Sequence, residues 1–260
     1  MANTYLPPGY IDSLRAGYSA RQWKQEVEAE ILRPHTAVYP EFSRERHLRP
    51  WRYDRTISAY DLAVDWGHAH PAVLWIQRIP GTGECVIFDE FVDDNVPRDH
   101  LRALIKRRCD ALGRPPSNIA GDRAVKSENA WAMHAYPSTR VHTMRTRAHQ
   151  DIRNGVECVR AMLDPVDRAP LLYVADHLAK DPPRRGVVLG LENYRYKQRS
   201  DGSLSQDPWK SNVEDHINDA LRYWCVALGL NERKPYVIGR AHGRNNPSDY
   251  FERRGNRARH

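Results

Sequence analysis

Between residues 56 and 175, short apolar segments alternate with turns and with helical patterns, and this order of elements restricts the fold more than any other feature. Strands are predicted at residues 57–65, 72–79, 85–92, 118–121, 139–143 and 171–174, and helices at 96–112, 127–135 and 152–163. The turn Pro80-Gly81-Thr82-Gly83 predicts a hairpin among the early strands, whereas helices separate the later ones. Hairpins followed by helix–strand alternation predict an α/β fold with a mixed sheet and helices packed on its faces.

The sequence is interpreted as three parts. Residues 1–50 are repeatedly interrupted by proline, which is typical of an arm or linker. Residues 51–230 form the predicted folded domain, in which Asp201-Gly202 indicates a further β-hairpin and a final helix covers residues 212–228. Residues 231–260 are basic and lack apolar periodicity, so we expect a flexible tail.

Composition narrows the functional class. The chain has 40% hydrophobic and 28% charged residues, and no apolar run approaches the ~20 residues that span a bilayer, so we expect a soluble protein without a membrane partner. Residues 1–10 show no secretory signal pattern, which favours a cytoplasmic location. The four cysteines are far apart, which argues against a zinc ribbon or a disulfide framework. A net charge of +7 permits binding to a polyanion without demonstrating it.

Three aspartates from distant segments are candidate ligands for hard divalent cations. Asp65 and Asp122 each end a predicted strand, and Asp219 lies on the final helix, three residues after His216. Taken alone, Asp122 is better explained as the N-cap of the next helix. Asp65 alone is equally compatible with a turn and with a ligand.

Helical periodicity gives a different interpretation of Asp219. The apolar residues of the final helix form one stripe, which consists of Val213, Ile217, Ala220, Leu221, Trp224 and Leu228. Asp219 lies nearly opposite this stripe, which favours a solvated face and an ion pair with Arg222. His216 lies between the two faces, where it could reach the same ion as Asp219, although such a histidine is more often structural.

Six stretches resemble the nuclease domain of the large terminase subunits that package DNA into tailed bacteriophages. They are Ala37-Val38-Tyr39-Pro40-Glu41-Phe42, Ala63-Val64-Asp65-Trp66-Gly67, Gly121-Asp122-Arg123, residues 155–163, Glu192-Asn193-Tyr194 and Asp215-His216-Ile217-Asn218-Asp219-Ala220-Leu221-Arg222-Tyr223. The last stretch is the most specific, because it is close to the family's terminal His-x-x-Asp-Ala-x-Arg-Tyr helix. The likeness spans roughly residues 5–228 and leaves the tail outside.

The resemblance implies a ribonuclease H-like fold, in which helices flank a mixed central β-sheet and a β-hairpin is added. It also implies two divalent cations, Mg²⁺ or Mn²⁺, with Asp65, Asp122 and Asp219 as catalytic metal ligands and His216 as a candidate fourth ligand. By analogy with the fold, Asp65 bridges the two ions, whereas Asp122 and Asp219 hold one each. Two such ions can assist both ends of a phosphodiester displacement. The roles of Asp215, His68 and His70 stay open.

Basic residues after the second aspartate and on the predicted hairpin are candidate contacts to DNA phosphates. They are Arg145, Arg147, Arg195, Lys197 and Arg199. The hairpin interleaves aromatic and basic residues, a pattern equally typical of a solvated hairpin. With the resemblance, the expected function is a metal-dependent endonuclease that cuts double-stranded viral DNA during packaging, with little sequence specificity.

The chain departs from a full terminase because no Gly-x-x-x-x-Gly-Lys-[Ser/Thr] motif occurs in it, so we expect no ATP hydrolysis. Residues 1–50 resemble only the end of the terminase ATPase domain and its linker. Double-stranded DNA, a portal protein, a small terminase subunit and an ATPase domain or subunit are the expected partners, in the host cytoplasm. Two alternatives are another ribonuclease H-like nuclease of the resolvase or transposase type, and a non-catalytic DNA-binding or docking module.

Overall fold

The structure is a computed structural model. It describes residues 9–28, 36–57, 59–67, 69–122, 125–143, 151–179, 185–210 and 214–229. Four of the features singled out above therefore lie outside the described residues, namely His68, Arg145, Arg147 and the tail at 231–260. Among the helices in these ranges, none is long and apolar enough to cross a membrane.

In the described part of the chain, seven strands form one mixed sheet. They are β1 (Leu48–Arg49), β2 (Tyr60–Asp65), β3 (Ala72–Arg78), β4 (Cys85–Val92), β5 (Asn118–Gly121), β6 (Arg140–Thr143) and β7 (Leu172–Ala175). Their order across the sheet is β1-β7-β4-β3-β2-β5-β6. β2 pairs antiparallel with β3 and parallel with β5, so the strand that ends in Asp65 is central. A separate hairpin consists of β8 (Tyr196–Gln198) and β9 (Leu204–Pro208), as Asp201-Gly202 predicts.

Helices cover both faces of this sheet. They are α1 (Tyr10–Gly17), α2 (Ala20–Glu26), α3 (Arg44–His47), α4 (Arg98–Leu112), α5 (Lys126–Ala135), α6 (Ile152–Leu163), α7 (Val187–Asn193) and α8 (Asp215–Ala227). Apolar residues of α4 and α5 form one core with one face of the sheet, and those of α6, α7 and α8 form a second core with the opposite face. The predicted α/β fold with a mixed sheet is therefore confirmed.

Alternation along β2 assigns its side chains to these two cores. The even-numbered residues from Tyr60 to Val64 join the core of α4 and α5, whereas Ala63 joins the core of α8. All six residues of the strand are buried. Two of them, Asp61 and Asp65, are carboxylates on the α8 face, where apolar residues would have been enough to build a core.

α8 is buried on both sides, which corrects the expectation drawn from its periodicity. The side chains of Asp219 and Arg222 are only 15% and 5% exposed, and they form the predicted ion pair. Gly155 of α6 packs against Arg222, because a Cβ at this glycine would lie 3.2 Å from the arginine side chain. The predicted solvated face for Asp219 is wrong because α6 covers the side of α8 that lies opposite the sheet.

The segment before residue 50 contacts the sheet and the hairpin. β1 pairs with β7 at one edge of the sheet, and Val38 and Tyr39 are buried in the core of α8. Ala37 pairs with Arg195 at the base of the hairpin. Residues 36–49 thus pack with the folded domain, although they fall in the part interpreted as an arm; the domain boundary at residue 50 stays a prediction.

Glu41 lies in this segment and faces α6. Its Oε2 is 3.7 Å from Nε of Arg160, which also donates a 2.8 Å hydrogen bond to the carbonyl of Val38. A second carboxylate, Glu157, contacts the same guanidinium at 2.6 Å. Burial raises the pKa of Glu41 to about 6, against the opposing effect of Arg160.

We expect Glu41→Gln to change how stability depends on pH. Because the pKa of Glu41 is 4.5 in its ordinary state and about 6 in the fold, folding takes up a proton between these values. This carboxyl therefore lowers the free energy of unfolding as pH rises through the window. The variant should gain about 2 kcal/mol relative to wild type between about pH 4 and pH 7. Urea unfolding at both pH values measures the gain, and a difference independent of pH would contradict the burial of Glu41.

Candidate metal centre

The register of two parallel strands brings the first two predicted aspartates to one edge of the sheet. Val64 of β2 lies opposite Gly121 of β5. Asp65 is the last residue of β2, and Asp122 directly follows β5. Continuing the register by one residue puts Asp122 beside Asp65, on strands about 4.8 Å apart.

The first two turns of α8 bring His216 and Asp219 to the same edge. Nδ1 of His216 lies 2.8 Å from Oδ2 of Asp65, a hydrogen bond between residues 151 positions apart in the sequence. Burial raises the pKa of Asp65; the hydrogen bond to His216 opposes this rise, and the negative charge of Asp219 adds to it. Asp219 is therefore close enough to Asp65 for the two carboxylates to repel each other.

Tyr223 of α8 shows that all three predicted aspartates converge. Burial raises the pKa of its phenol most, and the charges of Asp219, Asp65 and Asp122 raise it further, while Arg222 opposes them. A single hydroxyl group thus experiences three carboxylates from β2, β5 and α8. Asp65, Asp122 and Asp219, together with His216, are called the carboxylate centre below.

The carboxylate centre is compatible with divalent cations but is not arranged as a finished coordination shell. Within the described ranges, no group of three or more His, Cys, Asp or Glu side chains is placed to hold a metal ion. Asp65 is bonded to His216 and Asp219 to Arg222. Nε2 of His216 is buried and has no hydrogen-bond partner among the described residues. Three carboxylates and an imidazole nitrogen suit Mg²⁺ or Mn²⁺ better than soft metals.

Three residues beside this centre were not assigned a role from the sequence. The ring of His70 lies 5.1 Å from the ring of His216, and its Nδ1 is 2.5 Å from Oδ1 of Asp94. Arg185 forms an ion pair with the same carboxylate. The sequence offered one signal for His70, which closely follows the first acidic motif. It offered none for Asp94, which lies in the connection between β4 and α4.

The three basic residues predicted on the hairpin are in the described part of the chain. Lys197 and Arg199 are exposed, and Arg195 is half-buried at the hairpin base. Gly202 lies in the turn with a φ of 80°, a left-handed conformation that favours glycine. The hairpin thus presents cationic side chains to solvent on a short two-stranded element.

Comparison with known proteins gives matches only among solved structures, since no protein-family model and no curated protein matches the chain. A full large terminase from a thermophilic bacteriophage is 15% identical, with a TM-score of 0.63 over 86% of this chain and 53% of that chain. The large terminase nuclease from thermophilic phage G20c with bound magnesium is 12% identical, with a TM-score of 0.50 over 76% of this chain and 98% of that chain. The P22 large terminase nuclease domain is 10% identical, with a TM-score of 0.52 over 75% and 93%.

These likenesses establish the fold, which is the ribonuclease H-like α/β fold of large terminase nuclease domains. The resemblance predicted from six stretches of sequence is thereby confirmed at the level of the fold. The chain spans about half the length of the first of these terminases, with 53% of that protein covered. It covers nearly all of the G20c and P22 nuclease domains.

On the other face of the sheet, Trp66 fixes the space beside the end of β5. A Cβ at Gly121 would lie 2.6 Å from Nε1 of Trp66 and 3.1 Å from the carbonyl oxygen of Val64. The indole follows Asp65 directly, and Gly121 precedes Asp122, so this contact lies between the two aspartates. Only glycine fits at residue 121 without moving the indole.

We expect Gly121→Ala to destabilise the protein by about 1–3 kcal/mol, because the added methyl group must displace the indole or the strand. Trp66→Phe removes Nε1 and should relieve part of this cost. Urea unfolding of the two single variants and the double variant gives their coupling energy. Strictly additive effects would contradict the contact between Gly121 and Trp66.

Proposed function

We propose that this protein is a metal-dependent endonuclease that cuts double-stranded DNA during viral genome packaging. The observation that supports this best is the convergence of Asp65, Asp122 and Asp219 around Tyr223. The convergence occurs at the carboxyl end of β2 and β5, within a fold shared with large terminase nuclease domains. Carboxylates from three elements are not needed for packing, since burying them together costs stability.

The residues that would hold two divalent cations, Mg²⁺ or Mn²⁺, are Asp65, Asp122 and Asp219. In the proposed arrangement Asp65 contacts both ions, and Asp122 and Asp219 contact one each. When bound, the ions would lower the pKa of a water molecule and neutralise charge on the scissile phosphate. The magnesium bound to the G20c nuclease supports this choice of cation.

His216 has two roles that its ring nitrogens separate. Nδ1 is bonded to Asp65 and orients that carboxylate. Nε2, which has no hydrogen-bond partner among the described residues, is the nitrogen left for a ligand. A histidine bonded in this way to a carboxylate fixes both the tautomer and the direction of the acid.

The DNA backbone is proposed to contact the hairpin through Arg195, Lys197 and Arg199. Contacts of such side chains to phosphates do not depend on sequence, which agrees with a nuclease of little specificity. Arg145 and Arg147 remain proposed contacts outside the described residues. A portal protein, a small terminase subunit and an ATPase domain or subunit are the proposed partners, in the host cytoplasm.

Two other functions use the same fold. A resolvase or transposase core would share the carboxylate chemistry, and the Asp-Ala-Leu-Arg-Tyr sequence of α8 argues against it because it resembles terminases. A non-catalytic DNA-binding or docking module would keep the fold without needing Asp65. Cleavage by the wild-type protein therefore separates the docking module from both nucleases.

Asp65→Asn should abolish DNA cleavage while the protein still binds DNA. We expect the rate of nicking of supercoiled plasmid in Mg²⁺ or Mn²⁺ to fall on the order of a hundredfold or more, because the amide cannot supply the anionic ligand. Asp176→Asn is the matched control, since Asp176 also follows a strand, β7, and is half-exposed with Arg52 as its partner. Cleavage by Asp65→Asn at the control rate would refute the site.

Lys197→Gln combined with Arg199→Gln should weaken DNA binding at low salt and reduce its dependence on salt. Loss of two phosphate contacts lowers the slope of log affinity against log salt by about 2. The control is Lys106→Gln with Arg107→Gln, a similar loss of charge on α4, which packs on the opposite face of the sheet from α8. Equal effects of the two pairs, measured by fluorescence anisotropy with EDTA, would show that charge alone matters.

A further inference from the structure

Asp61 is a fully buried carboxylate that the carboxylate centre does not use. It lies on the same strand and the same face as Asp65. Nε of Arg78 is 2.7 Å from its Oδ2, and Nδ2 of Asn118 donates a 2.7 Å hydrogen bond to its Oδ1. Nε1 of Trp224 donates to Oδ2 at 3.1 Å. Asp61, Arg78, Asn118 and Trp224 are called the Asp61 cluster.

The Asp61 cluster joins the three elements that carry the proposed metal ligands. Asp61 shares β2 with Asp65, and Asn118 is the first residue of β5, which leads to Asp122. Trp224, which is fully buried, shares α8 with Asp219. A buried carboxylate that loses one of its donors is destabilised strongly, so these contacts resist relative movement of β2, β5 and α8.

Spacing along the strand and along the helix shows how α8 is placed. Asp65 contacts His216 and Asp61 contacts Trp224, so the helix runs antiparallel to the strand. Four residues of strand span about 13 Å, and eight residues of helix span about 12 Å. The two lengths match, and both hydrogen bonds therefore form at the same time.

Small residues lie midway between these two contacts. Ala63 is the midpoint of the strand segment and Ala220 of the helix segment, and both are fully buried in one core. Small side chains allow a helix to approach a sheet closely, so hydrogen bonds at the two ends set the position of α8 along β2. Without the contact between Asp61 and Trp224, only His216 at the carboxylate centre would set it.

We propose that Asp61 is a positioning residue, which acts through Trp224 to fix α8 along β2 and thereby sets the separation of Asp219 from Asp65. The inference rests on the proposed function, because that separation matters for catalysis only if the two carboxylates share cations. A purely structural Asp61 would neutralise Arg78 and support the core, with no effect on metal affinity.

The test compares Trp224→Phe and Asp61→Asn with Trp75→Phe. Trp75 is a fully buried tryptophan in the core of α4 and α5, so its variant is the matched loss of an indole on the other face. The first readout is the rise in melting temperature with increasing Mn²⁺, which requires no catalysis. The second is the Mg²⁺ concentration that gives half-maximal plasmid nicking.

Trp224→Phe and Asp61→Asn should each raise the half-saturating Mn²⁺ and Mg²⁺ concentrations about tenfold, as loss of a residue that orients a ligand does. The double variant should shift no further than the larger single variant, because both changes remove the same contact. Trp75→Phe should lower the metal-free melting temperature without shifting either concentration. Trp224→Phe decides the matter alone if Asp61→Asn does not fold.

Two results would overturn the inference, and they can be distinguished. If both variants lose stability but keep wild-type metal concentrations while wild type cuts DNA, the Asp61 cluster is only structural and the nuclease stands. If wild type shows neither stabilisation by Mn²⁺ nor cleavage, the proposed function fails, and the positioning role fails with it.

Discussion

Asp61, Asp65 and Asp219 are largely removed from water, and a carboxylate in such surroundings keeps its charge only beside a cation or several donors. Each has such a neighbour: Arg78 for Asp61, His216 for Asp65 and Arg222 for Asp219. Two of these contacts join β2 to other elements, so sheet, strand and helix cannot separate without leaving a buried charge alone. Charge pairing therefore adds direction to a core that apolar burial would hold together less specifically.

The same constraint explains why α8 needs two layers around it. The sheet covers its apolar side, and α6 covers Arg222 through Gly155, which keeps the ion pair with Asp219 away from solvent. At the amino-terminal end of α8 the pairing is less complete, since three carboxylates raise the pKa of Tyr223 together. Unrelieved repulsion at one place in an otherwise well-paired core is typical of a site shaped by function.

Much of this arrangement could be predicted because it depends on local patterns. The bounds of β4, β5 and α6 agree with those predicted, and the ends of β2 and β5 placed Asp65 and Asp122 at one edge. The burial of Asp219 could not be predicted, because periodicity counts apolar residues on one helix and contains no information on what covers its other side. Asp61 and Asp94 were missed for a related reason, since their partners lie on distant elements.

The distance of 151 residues between Asp65 and His216 has a consequence for how the protein is made. Translation produces β2 and β5 long before α8, and contacts of such high sequence separation form late and slowly. Until then, Asp61 and Asp65 on the nascent chain have neither Trp224 nor His216 beside them. The ribosome therefore releases the elements of this centre in an order that leaves it unassembled until α8 has been synthesised.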